Sequence, residues 1–126
     1  MARAVFKAGR QQDMAQADRL IIDFNALEWR GARTAVVETT EAVPAETVAS
    51  FLMRVIRSGA SEAAETDQLE PVSFNLDTTA PSVSGGSLTL DCEIDRRTRT
   101  LVFAHGSARL DAKTLMTATA VYRIAG

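Results

Sequence analysis

The sequence predicts an α+β fold: an antiparallel sheet of about five strands around a central helix at residues 44–58, with another helix at the N-terminus. Three observations predict it. One stretch, VPAETVASFLMRVIRSG at 43–59, has a one-sided helical period. Beyond Pro71 the apolar residues recur at a period of two instead, in four successive segments parted by short polar turns. No linker divides the 126 residues, so a single domain over 1–126 is expected.

The elements follow in order. From Asp13 to Trp29, the residues Met14, Ala17, Leu20, Ile21, Phe24 and Leu27 recur at three- and four-residue steps, with Gln16, Arg19, Asp23 and Glu28 between them. This is a helical period with Gly31 as its stop, although the β-branched residues of LIIDF also suit a short strand. The residues before Gln11 read as a frayed arm or an edge strand. RTAVVETT, 33–40, is rich in Val and Thr and reads as a strand.

The central helix comes next. Pro44 suits a first helical turn, and Val48, Phe51, Leu52, Val55 and Ile56 form an apolar stripe at i, i+3, i+4, i+7 and i+8. Gly59 supplies a stop. SEAAETDQLE, 61–70, carries four carboxylates and no base; it extends the helix by a turn at most and then forms a solvated connector. VSFNLDT is the first strand of the second half, and PSVSGG is a loop. SLTLDCEID places Leu88, Leu90, Cys92 and Ile94 on one face. TLVFAHGSARL and TLMTATAVYRI complete an antiparallel meander, with hairpin tips at RRTR and DAK.

Composition narrows the function. The apolar share of 46%, the charged share of 24% and the net charge of −2 are those of an ordinary globular chain, with no global attraction to nucleic acid or anionic membrane. No apolar run approaches the ~20 residues of a membrane span, and MARAVFKAGRQQ lacks the apolar block of a secretory signal. A single cysteine and a single histidine leave too few soft ligands for a metal site and fit a reducing compartment, so a cytoplasmic location is expected.

The order helix, strand, helix, four strands is similar to the hotdog fold. EPVSFNLDTTAP, followed by GGSLTLDCEIDRRTRTLVFAHGSARLDAKTLMTATAVYRI, resembles the C-terminal half of hotdog acyl-CoA thioesterases of the phenylacetate-degradation type. The matching features are Pro81, the basic hairpin Arg96 to Arg99, Asp111, and the small residues Ala118 and Ala120 ending in Tyr122. The resemblance implies an acyl thioester as ligand or substrate, coenzyme A only as part of that ligand and no separate cofactor. It also implies a homodimer or dimer of dimers whose sheets join edge to edge. The chain departs from the family before and within the central helix. TTEAVPAETVASFLMRVIRSG has neither the His-Gly-Gly stretch nor a carboxylate in the helix interior. His105-Gly106 lies in a strand and does not match that motif.

Thioester hydrolysis needs a carboxylate and N–H donors for the oxyanion, and a helix N-terminus offers such donors. The candidate carboxylates are Glu46, in the first turn, and Glu41 just upstream. An acid in a first turn also complements the helix dipole without any catalytic role, and Pro44 removes an N–H from that turn. The candidate substrate-binding residues are Arg96, Arg97 and Arg99, which the resemblance directs toward coenzyme A phosphates, and Asn75, whose side of the sheet is open. A charged hairpin tip also protects a sheet edge. His105 shares a face with Leu101 and Phe103 and reads as a packing residue, Arg57 as a favourable charge at the helix end, and Cys92 as a buried thiol. Two rival readings stand beside the thioesterase: a non-catalytic hotdog module for ligand binding or structure, and a cone-shaped α+β fold of the nuclear-transport-factor kind.

Overall fold

Alternation in the late strands and a single amphipathic helix produce a sheet curled around that helix. A computed structural model describes residues 22–79, 82–83 and 85–125. After a short 3-10 turn at Phe24–Ala26 come β1 (Glu28–Trp29), β2 (Thr34–Thr39), β3 (Val43–Pro44), α1 (Ala45–Ala64) and β4 (Leu69–Thr78). The chain continues with β5 (Ser82–Val83), β6 (Gly86–Arg97), β7 (Leu101–Leu110) and β8 (Lys113–Ile124). Every ladder is antiparallel, and the main sheet has the order β1-β2-β6-β7-β8-β4.

The expected stripe is the core. Val48, Phe51, Leu52, Val55 and Ile56 are each at most 4% exposed, and burial of such side chains contributes about 1.5–3 kcal/mol apiece. They face Ala35 and Val37 of β2, Leu88, Leu90 and Cys92 of β6, Val102 and Ala104 of β7, and Ala118, Ala120 and Tyr122 of β8, all in one cluster. The alternate residues Thr89, Asp91, Glu93, His105, Ser107 and Thr119 lie on the far face of the sheet. A continuous sheet wrapping a central helix is the hotdog arrangement and excludes the cone-shaped alternative.

Three expectations change. Only β6, β7 and β8 form a meander; β4 pairs with β8 from Leu69 to Thr78 and becomes the far edge, while β2 takes the free side of β6. Sequential adjacency does not hold here, because the side of β6 that β4 would have taken is occupied by β2. The helix does not stop at Gly59 but at Glu65, whose backbone is left-handed (φ 59°). Gly59 is instead a close-packing position: a Cβ there would lie 2.6 Å from Cys92 Sγ. Of the helix expected at 13–29, residues 13–21 lie outside the described residues, and 22–29 form the 3-10 turn and β1. There Asp23 accepts from the Asn25 N–H, and Glu28 and Trp29 pair with β2.

Helix and sheet approach each other through two glycines. Gly59 admits Cys92, and Gly106 of β7 lies beneath Ile56, where a Cβ would come 2.8 Å from Ile56 Cγ1 and 2.5 Å from the Asp91 carbonyl oxygen. Among the described residues no helix is long and apolar enough to cross a membrane.

Candidate functional site

The head of α1 is where charge, backbone donors and open space coincide. Pro44 is extended (ψ 149°) and caps the helix from outside, without a side-chain hydrogen bond. It therefore removes no N–H from the first turn, contrary to the expectation; the donors of Ala45, Glu46 and Thr47 belong to the orphan set that every helix start presents. The β3–β5 ladder, Val43 with Val83 and Pro44 with Ser82, ties this start to β5.

Beside it lies a cleft of about 490 Å³ lined by Ala45, Glu46 and Ala49 of the helix and Leu76 and Thr78 of β4. Two alanines leave the helix wall low, so the opening comes from small residues. Glu46 is exposed, and its own carbonyl accepts from the Ser50 hydroxyl (3.0 Å). Glu41 is exposed in the preceding turn and is not among the lining residues of this cleft.

The other candidates lie elsewhere. Arg97 donates to the Ala64 carbonyl at 3.3 Å, placing the basic hairpin at the C-terminal end of α1, where its charge complements the dipole. Arg96 and Arg99 are exposed at the same tip, a helix length away from Glu46 within one chain. Asn75 pairs in register with Thr119 and lines a depression of about 360 Å³ on the far face of the sheet with Asp77, Asp91, Glu93 and His105. His105 Nδ1 lies 2.7 Å from Asp95 Oδ1, and Nε2 is 4.0 Å from Glu93 Oε1. The Arg109 guanidinium donates to Asp91 at 2.7 Å, and the Ser107 hydroxyl to the same carboxylate at 3.0 Å. So the structure brings Glu46 together with the β4 edge but brings neither the arginine hairpin nor Asn75 to it.

A second cleft, of about 320 Å³, continues along the same groove between α1 and β4, lined by Arg54 and Arg57 of the helix and by Phe24, Pro71 and Tyr122 among others. Arg57 is not at the helix end, since α1 runs on to Ala64, and Arg54 lies one turn before it. Their spacing of three, on the flank of the apolar stripe, was the available signal.

Cys92 sits under the helix, its thiol against the Ile56 carbonyl at 3.8 Å. Burial pushes that thiol up to about 11, only partly opposed by Arg33. It is a packing thiol. Burial likewise raises the Tyr122 phenol, against the opposing charge of Arg57.

No protein-family model matches the chain, and no curated protein matches it. Solved structures do match its fold. A phenylacetic acid degradation-related protein of Ralstonia eutropha JMP134 aligns at 20% identity over 83% of this chain and 82% of its own, with a TM-score of 0.61. A Bacillus halodurans protein crystallised with CoA aligns at 13% identity over 93% and 88%, with a TM-score of 0.66. A Haemophilus influenzae thioesterase aligns at 10% identity over 77% and 75%, with a TM-score of 0.59.

Proposed function

We propose that this hotdog protein binds an acyl group as its coenzyme A thioester at the head of α1 and hydrolyses the thioester there. The observation that carries the reading is the cleft in which Glu46, the start of the helix and the apolar Leu76 meet. The fold shared with thioesterases and with a CoA-bound neighbour supports it. In this reading Glu46 accepts a proton from a water molecule, whose oxygen attacks the thioester carbon. The oxyanion forms against the N–H groups of the first turn, aided by the dipole. Its collapse breaks the C–S bond, and the thiolate takes the proton back from Glu46; the products are a free acid and coenzyme A. Glu41 is the reserve carboxylate, and the Arg96, Arg97 and Arg99 hairpin meets coenzyme A phosphates only if a second subunit presents it. Asn75, on the far face, reaches a ligand at this cleft by neither route and is given no role in it. Coenzyme A enters as substrate, and the reading requires no resident cofactor. Two chains join through their β4 edges, and the lone cysteine fits a cytoplasmic setting.

Incubation with a panel of acyl-CoA esters and a thiol reagent tests this. Thiol release is expected, with kcat/KM falling about 10²–10⁴-fold in Glu46→Ala. Release that is unchanged in Glu46→Ala removes Glu46 from the mechanism. The second reading, a non-catalytic binder, is favoured by one feature: α1 carries no carboxylate from Thr47 to Ser61. A melting-point rise with acyl-CoA, without thiol release from any ester, selects it.

A further inference from the structure

The second cleft holds an arrangement that hydrolysis at Glu46 does not use. Arg54 and Arg57 project from one flank of α1, and among the described residues neither is ion-paired with a carboxylate, although other arginines are. The Arg54 guanidinium carbon lies over the Phe24 ring, 4.0 Å from its centroid, and among the described residues its N–H groups have no hydrogen-bond acceptor. Arg57 is anchored from behind, one terminal nitrogen donating to the Asp67 and Leu69 carbonyls at 3.2 Å each, and its carbon lies 5.9 Å from the Tyr122 ring centroid. Tyr122 is 5% exposed, lines this cleft, and its hydroxyl has no hydrogen-bond partner among the described residues. A buried phenol without a partner loses a hydrogen bond that water would have given it. Two preset cations and one orphaned hydroxyl therefore converge on one cavity in a chain whose net charge is −2.

The remaining wall is Phe24, Pro71 and Met53, the last 43% exposed, together with Ser50, whose hydroxyl donates to the Glu46 carbonyl at 3.0 Å. That combination recognises a ligand with an acidic head and a greasy body. A planar carboxylate matches the fork of a guanidinium, and with the Ser50 hydroxyl turned to its own helix the rest of the wall offers no polar group for the additional oxygens of a phosphate. We infer that the cleft between α1 and β4 is a binding site for an amphipathic carboxylate, its head held by Arg54, Arg57 and the Tyr122 hydroxyl and its chain lying along Met53 and Pro71. The site is separate from the Glu46 cleft and stands whether or not the protein hydrolyses thioesters.

Tyr122 is the chain's single tyrosine, so fluorotyrosine labelling gives one fluorine resonance inside the site. Titrating the labelled full-length protein with octanoate is expected to move that resonance saturably. Equal concentrations of 1-octanol and of inorganic phosphate should leave it near its starting position. Calorimetry should show octanoate affinity reduced about tenfold or more in Arg54→Gln and in Arg57→Gln, the loss expected when a charge-assisted hydrogen bond is removed. Tyr122→Phe should cost a smaller factor. An equal response to octanol would make the cleft an apolar groove only, and an equal response to phosphate a general anion site. Either result, or no response to octanoate, overturns the inference. The comparison of three probes uses the unaltered sequence, so it holds even if a variant fails to fold.

Discussion

At Glu65 the chain leaves α1 through a left-handed residue: the Glu65 N–H reaches the Glu62 carbonyl and the Thr66 N–H the Ser61 carbonyl, both at 3.3 Å. This is the Schellman ending, for which glycine is the unstrained occupant. Glu65→Gly should raise stability by roughly 0.5–1 kcal/mol, the left-handed cost of a Cβ less the added freedom of the unfolded chain; urea denaturation measures it, and a loss of stability would show that the Glu65 side chain matters more than its backbone. A second prediction concerns Cys92. With its pKa raised to about 11 from an ordinary 9.0, the folded protein holds about a hundredfold less thiolate at pH 8 than the unfolded chain. Alkylation by iodoacetamide should slow by at least that factor. The sign for stability follows: the native state keeps the proton longer, so this thiol's contribution is complete below pH 9 and is lost as pH rises from 9 to about 11. At this scale the sequence was readable where a residue's role is local. The burial of Cys92 followed from strand alternation, and the position of Glu46 in the first turn from the helical period. Arg54 and Tyr122 were not readable as a pair, because 68 residues separate them in the chain and only the pairing of β4 with β8 brings Pro71 alongside Tyr122.

Among the elements, α1 shows how far periodicity reaches. Its stripe was legible because the five residues repeat on one face within the helix itself, and the late strands were legible for the same reason at a period of two. Its end was not, because Gly59 looks like a stop in sequence while its real role, admitting Cys92 of β6, is a contact between elements. Gly59→Ala should therefore destabilise by roughly 1–3 kcal/mol through overpacking, despite gaining about 1 kcal/mol in helix propensity. Combining it with Cys92→Ala should recover part of that loss, and a double-mutant cycle by chemical denaturation gives the coupling. A stabilised Gly59→Ala single variant would mean that helix and sheet have slack between them. The position of β4 was illegible for a similar reason. Adjacent strands in sequence usually pair, and nothing local in VSFNLDT shows that its partner lies in the last strand rather than the next.

For the whole molecule, β4 is an edge whose outer side no described strand pairs, and Val72 on it is 55% exposed. Unpaired edges recruit partners. If two chains join there, Val72→Asp should shift the protein from dimer toward monomer in light scattering at micromolar concentration, with the far-ultraviolet circular dichroism unchanged. A variant that keeps the mass of the unaltered protein would move the interface elsewhere. The two glycine notches have a mechanical consequence as well. One is cut into the helix at Gly59 and the other into the sheet at Gly106, so each surface carries a knob for the other's slot. A slide of α1 along its axis by one turn, ~5.4 Å, would lift both knobs out of register at once. The helix is in this sense a fixed ruler, and Glu46 and Arg57 are graduations on it, roughly 16 Å apart at the rise of an α-helix. Any widening of the groove to admit a bulkier molecule must come from the opposite rail, where β8 is the only strand neighbour of β4 among the described residues.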